Sequence, residues 1–133
     1  MRVEIRSIID YGKPESERII IDVLEDCNIG HYMIMHTNYT HQERPSNKVK
    51  TIYIFPSQPM KKGDTVVLNT KEGKNSMLEK EGRMEYSFYW GLDKCIWNNT
   101  EDCILIVHFD NLIHKKINDV IFHSEAGIHH KSL

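Results

Sequence analysis

The fold class is set by the stretch RIIIDVL at residues 18–24. Ile19, Ile21 and Val23 point to one side of an extended chain, and the residues between them point to the other side. Turn-forming residues at 26–30 end this run. The stretch therefore predicts a β-strand with a strongly apolar face.

The same alternation recurs on both sides of this stretch, with turn residues between the segments. The predicted strands cover 3–9 on the N-terminal side and 32–35, 52–55, 65–70, 86–90 and 103–109 on the C-terminal side. Short strands at this spacing predict an all-β chain, for which an immunoglobulin-like β-sandwich of about seven to nine strands is the commonest arrangement. A closed barrel is the alternative. The absence of strand–helix alternation disfavours parallel-sheet nucleotide-binding folds.

Three segments have particular predicted roles. The polar segments 37–48 and 71–85 are predicted to be long loops, because they carry turn residues and little apolar content. The strand at 103–109 is apolar on both faces, which predicts a central position in its sheet. The final segment, 111–133, is predicted to be an edge strand or a tail, with the end of a short helix as a further alternative.

The composition is that of an ordinary globular protein: 133 residues, 40% hydrophobic and 27% charged. A single domain over residues 1–133 is expected. No apolar run approaches the roughly 18 residues that span a bilayer, so membrane insertion is not expected. Cys27, Cys95 and Cys103 form no C-x-x-C pair and are odd in number, which predicts reduced thiols in the cytoplasm.

Positive charge is concentrated in the middle of the chain, where residues 41–83 hold nine basic and five acidic side chains. Lys61, Lys62, Lys71 and Lys74 are the candidate binding residues of this segment. Such a cluster could contact the phosphates of a nucleic acid. A solvated surface is the other interpretation, since acidic side chains are interleaved with the basic ones.

No catalytic residue, metal ligand set or cofactor site is predicted. The eight histidines lack the spacing of a metal-binding pair on a helix or strand, and no nucleophile elbow or phosphate-binding loop is present. One enzymatic alternative is retained. His31 or His108 beside a carboxylate, in a cleft at one end of the sandwich, would give a hydrolase-like site.

The order of these features resembles one family. A glycine and an aromatic residue open the strand at 30–34, Phe55-Pro56 ends the next, and a Lys-Lys-Gly-Asp turn at 61–64 leads into another. Trp97-Asn98-Asn99 then precedes Asp102 and an apolar strand. Over residues 17–110 this order is similar to the lamin tail domain, an immunoglobulin-like β-sandwich of nuclear lamins and many bacterial proteins. Glu101 stands where the family glycine is expected.

Five residues carry the structural part of this resemblance: Gly63, Trp97, Asn98, Asn99 and Asp102. Trp97 is expected to plug an end of the sandwich, the two asparagines to form a turn, and Asp102 to cap backbone donors. The resemblance implies a stand-alone, bacterial-type interaction module without catalytic activity. A protein partner bound through loops or a sheet edge is the leading expectation, and such an edge could also form a homodimer. Nucleic-acid binding through residues 61–83 is the alternative.

Overall fold

The computed structural model describes residues 1–40, 42–97, 101–124 and 127–130, and nearly all of their regular secondary structure is β-strand. In this part of the chain, helix is confined to two 3₁₀ turns, Ile29–His31 and Ile117–Asp119. The all-β prediction is therefore confirmed. The strands are β1 (Val3–Ile9), β2 (Arg18–Val23), β3 (Cys27–Asn28), β4 (Tyr32–Asn38), β5 (Thr51–Ile54), β6 (Pro59–Met60), β7 (Thr65–Asn69), β8 (Ser76–Lys80), β9 (Arg83–Tyr89), β10 (Asp102–His108), β11 (Ile121–Ser124) and β12 (Gly127–His130).

Two larger sheets organise these strands. One has five strands in the order β1-β2-β7-β9-β8, and the other has three in the order β10-β4-β5. β7 and β9 run parallel, whereas the other pairs in these two sheets are antiparallel. The remaining strands form two small pairs, β3 with β6 and β11 with β12.

The two larger sheets enclose one hydrophobic core. The five-stranded sheet contributes Ile19, Ile21 and Leu68, and the three-stranded sheet contributes Tyr32 and Ile34, all at most 1% exposed. Full burial of each such side chain contributes roughly 1.5–3 kcal/mol. Two sheets that pack their apolar faces on a shared core have the layered arrangement of a β-sandwich.

The prediction of a loop over 71–85 is wrong, because this segment holds β8 and the first residues of β9. The two strands form a hairpin in which Lys80 pairs with Arg83 across a two-residue turn. Glu81 and Gly82 in that turn have φ angles of 52° and 79°, the left-handed region that such tight hairpins require. Every residue of β8 is exposed, so no apolar alternation marks it in the sequence.

The prediction that the apolar strand at 103–109 is central is also wrong. Among the described strands β10 pairs only with β4, and β4 lies in the middle of the three-stranded sheet. A side-chain period of two reports which faces of a strand are apolar, but it does not report how many neighbours the strand has.

The C-terminal segment is a second hairpin rather than a simple edge strand or tail. Residues 111–116 have no regular secondary structure, and the 3₁₀ turn Ile117–Asp119 leads into β11 and β12. The described residues contain twelve strands instead of about seven to nine. The excess comes from the polar β8, the two-residue strands β3 and β6, and this hairpin, none of which has a long apolar period.

Candidate functional site at the open edge of β10

A buried polar pair fixes the beginning of β10. The Oδ1 atom of Asp102 lies 3.0 Å from Nε2 of His36 on β4, and each side chain is only 5% exposed. The His36 ring also meets Trp97 edge-on, with the ring centroids 6.0 Å apart. Since the two residues of the pair are 66 positions apart, no local sequence signal links them. The pair ties the edge strand to the centre of its sheet.

The chain that leads into β10 is held by a buried carboxylate. Glu17 is 0% exposed, and its two carboxylate oxygens accept hydrogen bonds from the backbone amides of Gly12 and Ile96, each at 3.0 Å. Trp97, the next residue, is 1% exposed and belongs to the core, although its indole Nε1 has no hydrogen-bond partner among the residues that the structure describes. Glu17 thus joins the first turn of the chain to the approach of β10, a role that sequence analysis missed.

The hydrogen-bond alternation of β10 shows which backbone groups face away from β4. The Tyr39 amide donates to Glu101 at 2.8 Å, and the Phe109 amide donates to His31 at 2.9 Å, on either side of the β10–β4 register. Antiparallel pairs alternate, so odd-numbered residues of β10 bond to β4. Ile104 and Ile106 therefore direct their N–H and C=O groups to the opposite side. In the described part of the chain, no other strand pairs with that side.

The side chains of β10 are apolar on both faces of the sheet. Ile104 and Ile106 pack against the core, whereas Leu105 and Val107 lie on the outer face. There they adjoin apolar side chains of the two neighbouring strands. We call this surface the outer apolar face; it consists of Met33, Met35, Ile52, Ile54, Leu105 and Val107. Contiguous apolar surface of this kind marks interaction sites in soluble proteins.

The other edge of the same sheet is partly closed. The indole Nε1 of Trp90 donates a 3.2 Å hydrogen bond to the carbonyl of Ile52 on β5, which blocks that carbonyl from a further strand. The backbone groups of Ile104 and Ile106 have no such cover among the described residues. The open edge of β10 is therefore the more accessible of the two for strand addition.

The four candidate lysines do not converge. Lys61 and Lys62 precede β7, whereas Lys71 and Lys74 follow it, so they lie beyond opposite ends of a strand that rises roughly 3.3 Å per residue. Gly63, in the first of these turns, has a φ of 94°, and a Cβ there would lie 3.2 Å from Nε of Arg83. The fold thus places Arg83 beside the Lys61–Lys62 turn and separates it from the second lysine pair.

Tertiary structure brings His31 and His108 together at a cavity whose lining, as far as the described residues show it, includes no carboxylate. Their ring centroids are 6.4 Å apart, and a cavity of about 280 Å³ is lined by both rings together with Arg2, Cys27, Asn28 and Tyr32. Burial raises the pKa of the Cys27 thiol. Within the described residues, no group of three potential metal ligands is suitably arranged.

His36 contacts the carboxylate of Asp102. Besides its contact with Asp102, it shares the lining of a separate cavity of about 360 Å³ with Asp93 and Cys95. Sequence analysis assigned no role to His36 or Asp93, and it expected Asp102 to cap backbone donors instead of contacting a histidine. Two of the predicted structural residues, Asn98 and Asn99, lie outside the described residues.

No described helix is long and apolar enough to cross a membrane. Comparisons of the chain with family models, curated proteins and solved structures found no match. Three features of the described residues consequently bear on function: the open edge of β10, the outer apolar face, and the buried polar contacts of Asp102 and Glu17.

Proposed function

We propose that this chain is a non-catalytic interaction module of the lamin tail type, an immunoglobulin-like β-sandwich that binds a protein partner through the open edge of β10. The proposed setting is the cytoplasm, where Cys27, Cys95 and Cys103 stay reduced. One observation carries the proposal. The apolar run 103–107 lies in a strand that, within the described part of the chain, has a paired neighbour on one side only.

Exposed sheet edges normally carry features that discourage pairing, such as charged side chains, prolines or bulges. β10 has no proline, no lysine and no register shift against β4. Its outward N–H and C=O groups alternate as in any antiparallel ladder, so an extended segment can bond to them directly. Apolar side chains of that segment would extend the outer apolar face.

The proposal is tested by removing one outward donor. Ile106→Pro deletes the N–H that faces the open edge while leaving the odd-numbered bonds to β4 in place. The matched control is Ile54→Pro in β5, where the alternation set by the Phe55–Tyr32 bond also turns the amide away from β4. We expect Ile106→Pro to weaken binding of the cognate protein at least about tenfold, and Ile54→Pro to change it little.

The measurement is quantitative affinity capture followed by titration of the purified partner, with amide exchange at Ile104 and Ile106 as the structural readout. Binding should slow exchange at both amides. If Ile106→Pro does not fold, as judged by circular dichroism, Val107→Lys on the outer face replaces it. Equal affinity of the edge variant and the wild type would refute the proposal, as would a defined turnover by a protein that recovers no partner.

A further inference from the structure

We infer that the strand completing the three-stranded sheet is β10 of a second copy of this chain, paired antiparallel about a two-fold axis at Leu105. The inference rests on the proposed function, because it names the partner of the same edge. Two copies would then form one continuous sheet with the strand order β5-β4-β10 in the first copy and its reverse in the second.

The hydrogen-bond pattern of β10 is self-complementary in this register. With Leu105 on the axis, Ile104 lies opposite Ile106 of the second copy, and both residues direct their backbone groups outward. The two symmetry-related pairs exchange about four main-chain hydrogen bonds. A shift by one residue would set an outward-facing residue against an inward-facing one, so the ladder could not form.

No like charges meet in the same register. Residues 103–107 carry no charged side chain, and the Asp102 carboxylate is buried against His36 of its own copy. An antiparallel second copy can therefore pair with β10 without like-charge repulsion, whereas a parallel copy would set His108 beside His108. The same patch on both molecules then meets itself, which is the condition for a closed two-fold dimer.

The apolar run gives a reason for association and also limits its strength. Leu105 would pack on Leu105 of the second copy, and Val107 would lie opposite Cys103. Association would therefore bury the β10 side of the outer apolar face away from water. A single strand pair buries less than the roughly 800 Å² per partner of a standard interface. A reversible equilibrium between monomer and dimer is therefore expected, instead of an obligate dimer.

Charge substitution at the axis provides the test. Leu105 is absent from the set of residues packed on the core, so Leu105→Lys and Leu105→Glu place charges on the outer face and leave its amide bonded to β4. Each variant alone sets like charges against each other across the axis, and we expect the dimer Kd to rise by about tenfold or more. An equimolar mixture of the two variants should dimerise again. Ile52→Lys on the same face, but on β5, is the control and should leave dimerisation unchanged.

Sedimentation equilibrium over a wide concentration range measures association, and amide exchange at Ile104 and Ile106 locates it. A wild type that stays monomeric at about millimolar concentration overturns the inference, as do variants that dimerise as well as the wild type or a mixture that does not recover. A monomer that still captures another protein, and loses it on Ile106→Pro, would overturn the inference while supporting the proposed function. Failure to bind any protein would overturn both.

Discussion

Two edge strands of this molecule, β8 and β10, differ in the charge and the solvent exposure of their side chains. β8 closes the five-stranded sheet with five exposed residues, and its last residue, Lys80, lies 3.3 Å from the Glu85 carboxylate on β9. β10 closes the three-stranded sheet with the uncharged run 103–107, most of it half-buried. Charges at an edge resist pairing with a further strand, and an apolar edge invites it.

The sheet edges differ in how well they are protected against pairing with a further strand. The edge of β5 is covered in part by the indole of Trp90, and β8 ends in the charged residues Glu79 and Lys80, next to exposed Met77 and Leu78. The start of β10 is instead fixed from within by the buried pair of Asp102 and His36, and no described strand pairs with the outward side of Ile104 and Ile106. Strand addition is favoured at an edge strand that is already ordered and has unpaired outward backbone groups, because little conformational entropy is then lost on binding.

Breaking the internal anchor of β10 should have the largest effect. His36→Leu removes one hydrogen bond from a buried carboxylate, and we expect the free energy of unfolding to fall by about 2–3 kcal/mol. Lys80→Ala, which breaks the exposed pair with Glu85 at the other edge, should cost less than about 0.5 kcal/mol. Urea unfolding of both variants measures the difference, and equal costs would contradict the contrast between the edges.

Distorting the β8–β9 turn should have an intermediate effect. Gly82 has a φ of 79°, so Gly82→Val forces a β-branched residue into the left-handed region and should destabilise the protein by about 1–2 kcal/mol. Glu81→Gly in the same turn relieves a non-glycine residue at a φ of 52° and should be neutral or stabilising. Thermal unfolding compares the two. Tolerance of valine at position 82 would show that the turn is not needed to hold β8.

A smaller effect is expected from the Arg6–Asp22 pair on the five-stranded sheet. The Arg6 guanidinium donates to Asp22 at 3.0 Å and holds the pKa of that carboxyl below its ordinary value of 3.8. Because the folded-state pKa is lowered, the stabilisation is complete above the unfolded pKa and is lost as the pH falls through the folded one. Both side chains are partly exposed, so we expect only about 0.5 kcal/mol.

Asp22→Asn should therefore remove a shallow dependence of stability on pH below about 4. Urea midpoints of the variant and the wild type, measured between about pH 2 and 6, provide the comparison. An unchanged pH profile would show that the pair makes no contribution in solution.

The smallest effect is expected for the alternative function, nucleic-acid binding through the basic residues of segment 61–83. Lys61 and Lys62 lie beside Arg83, whereas Lys71 and Lys74 lie beyond the other end of β7. We expect only weak, salt-sensitive binding to nucleic acid, reduced when Lys61 and Lys62 are changed to Ala and unaffected when Lys71 and Lys74 are changed. Fluorescence anisotropy at several salt concentrations tests this. Tight binding that is insensitive to salt would contradict the ranking of functions.

Strands that hold several apolar residues between turn residues could be predicted from the sequence. β1, β2, β4, β5, β7 and β9 fall within or close to the predicted segments for this reason. β8 could not be predicted, because a strand exposed on both faces has no apolar period. The candidate site was beyond reach as well: the histidines weighed for chemistry were His31 and His108, whereas the buried imidazole–carboxylate contact belongs to His36.

The sequence by itself determined that this chain is all-β, since a period of two in apolar residues is a local property that any extended segment displays. It also determined that β10 is apolar on both faces. Only the tertiary structure decided that β10 lies at an edge, that Asp102 meets His36, and that Glu17 ties two distant backbone segments together. Those facts depend on which strands pair and in what order, and side-chain patterning along one strand does not encode its neighbours.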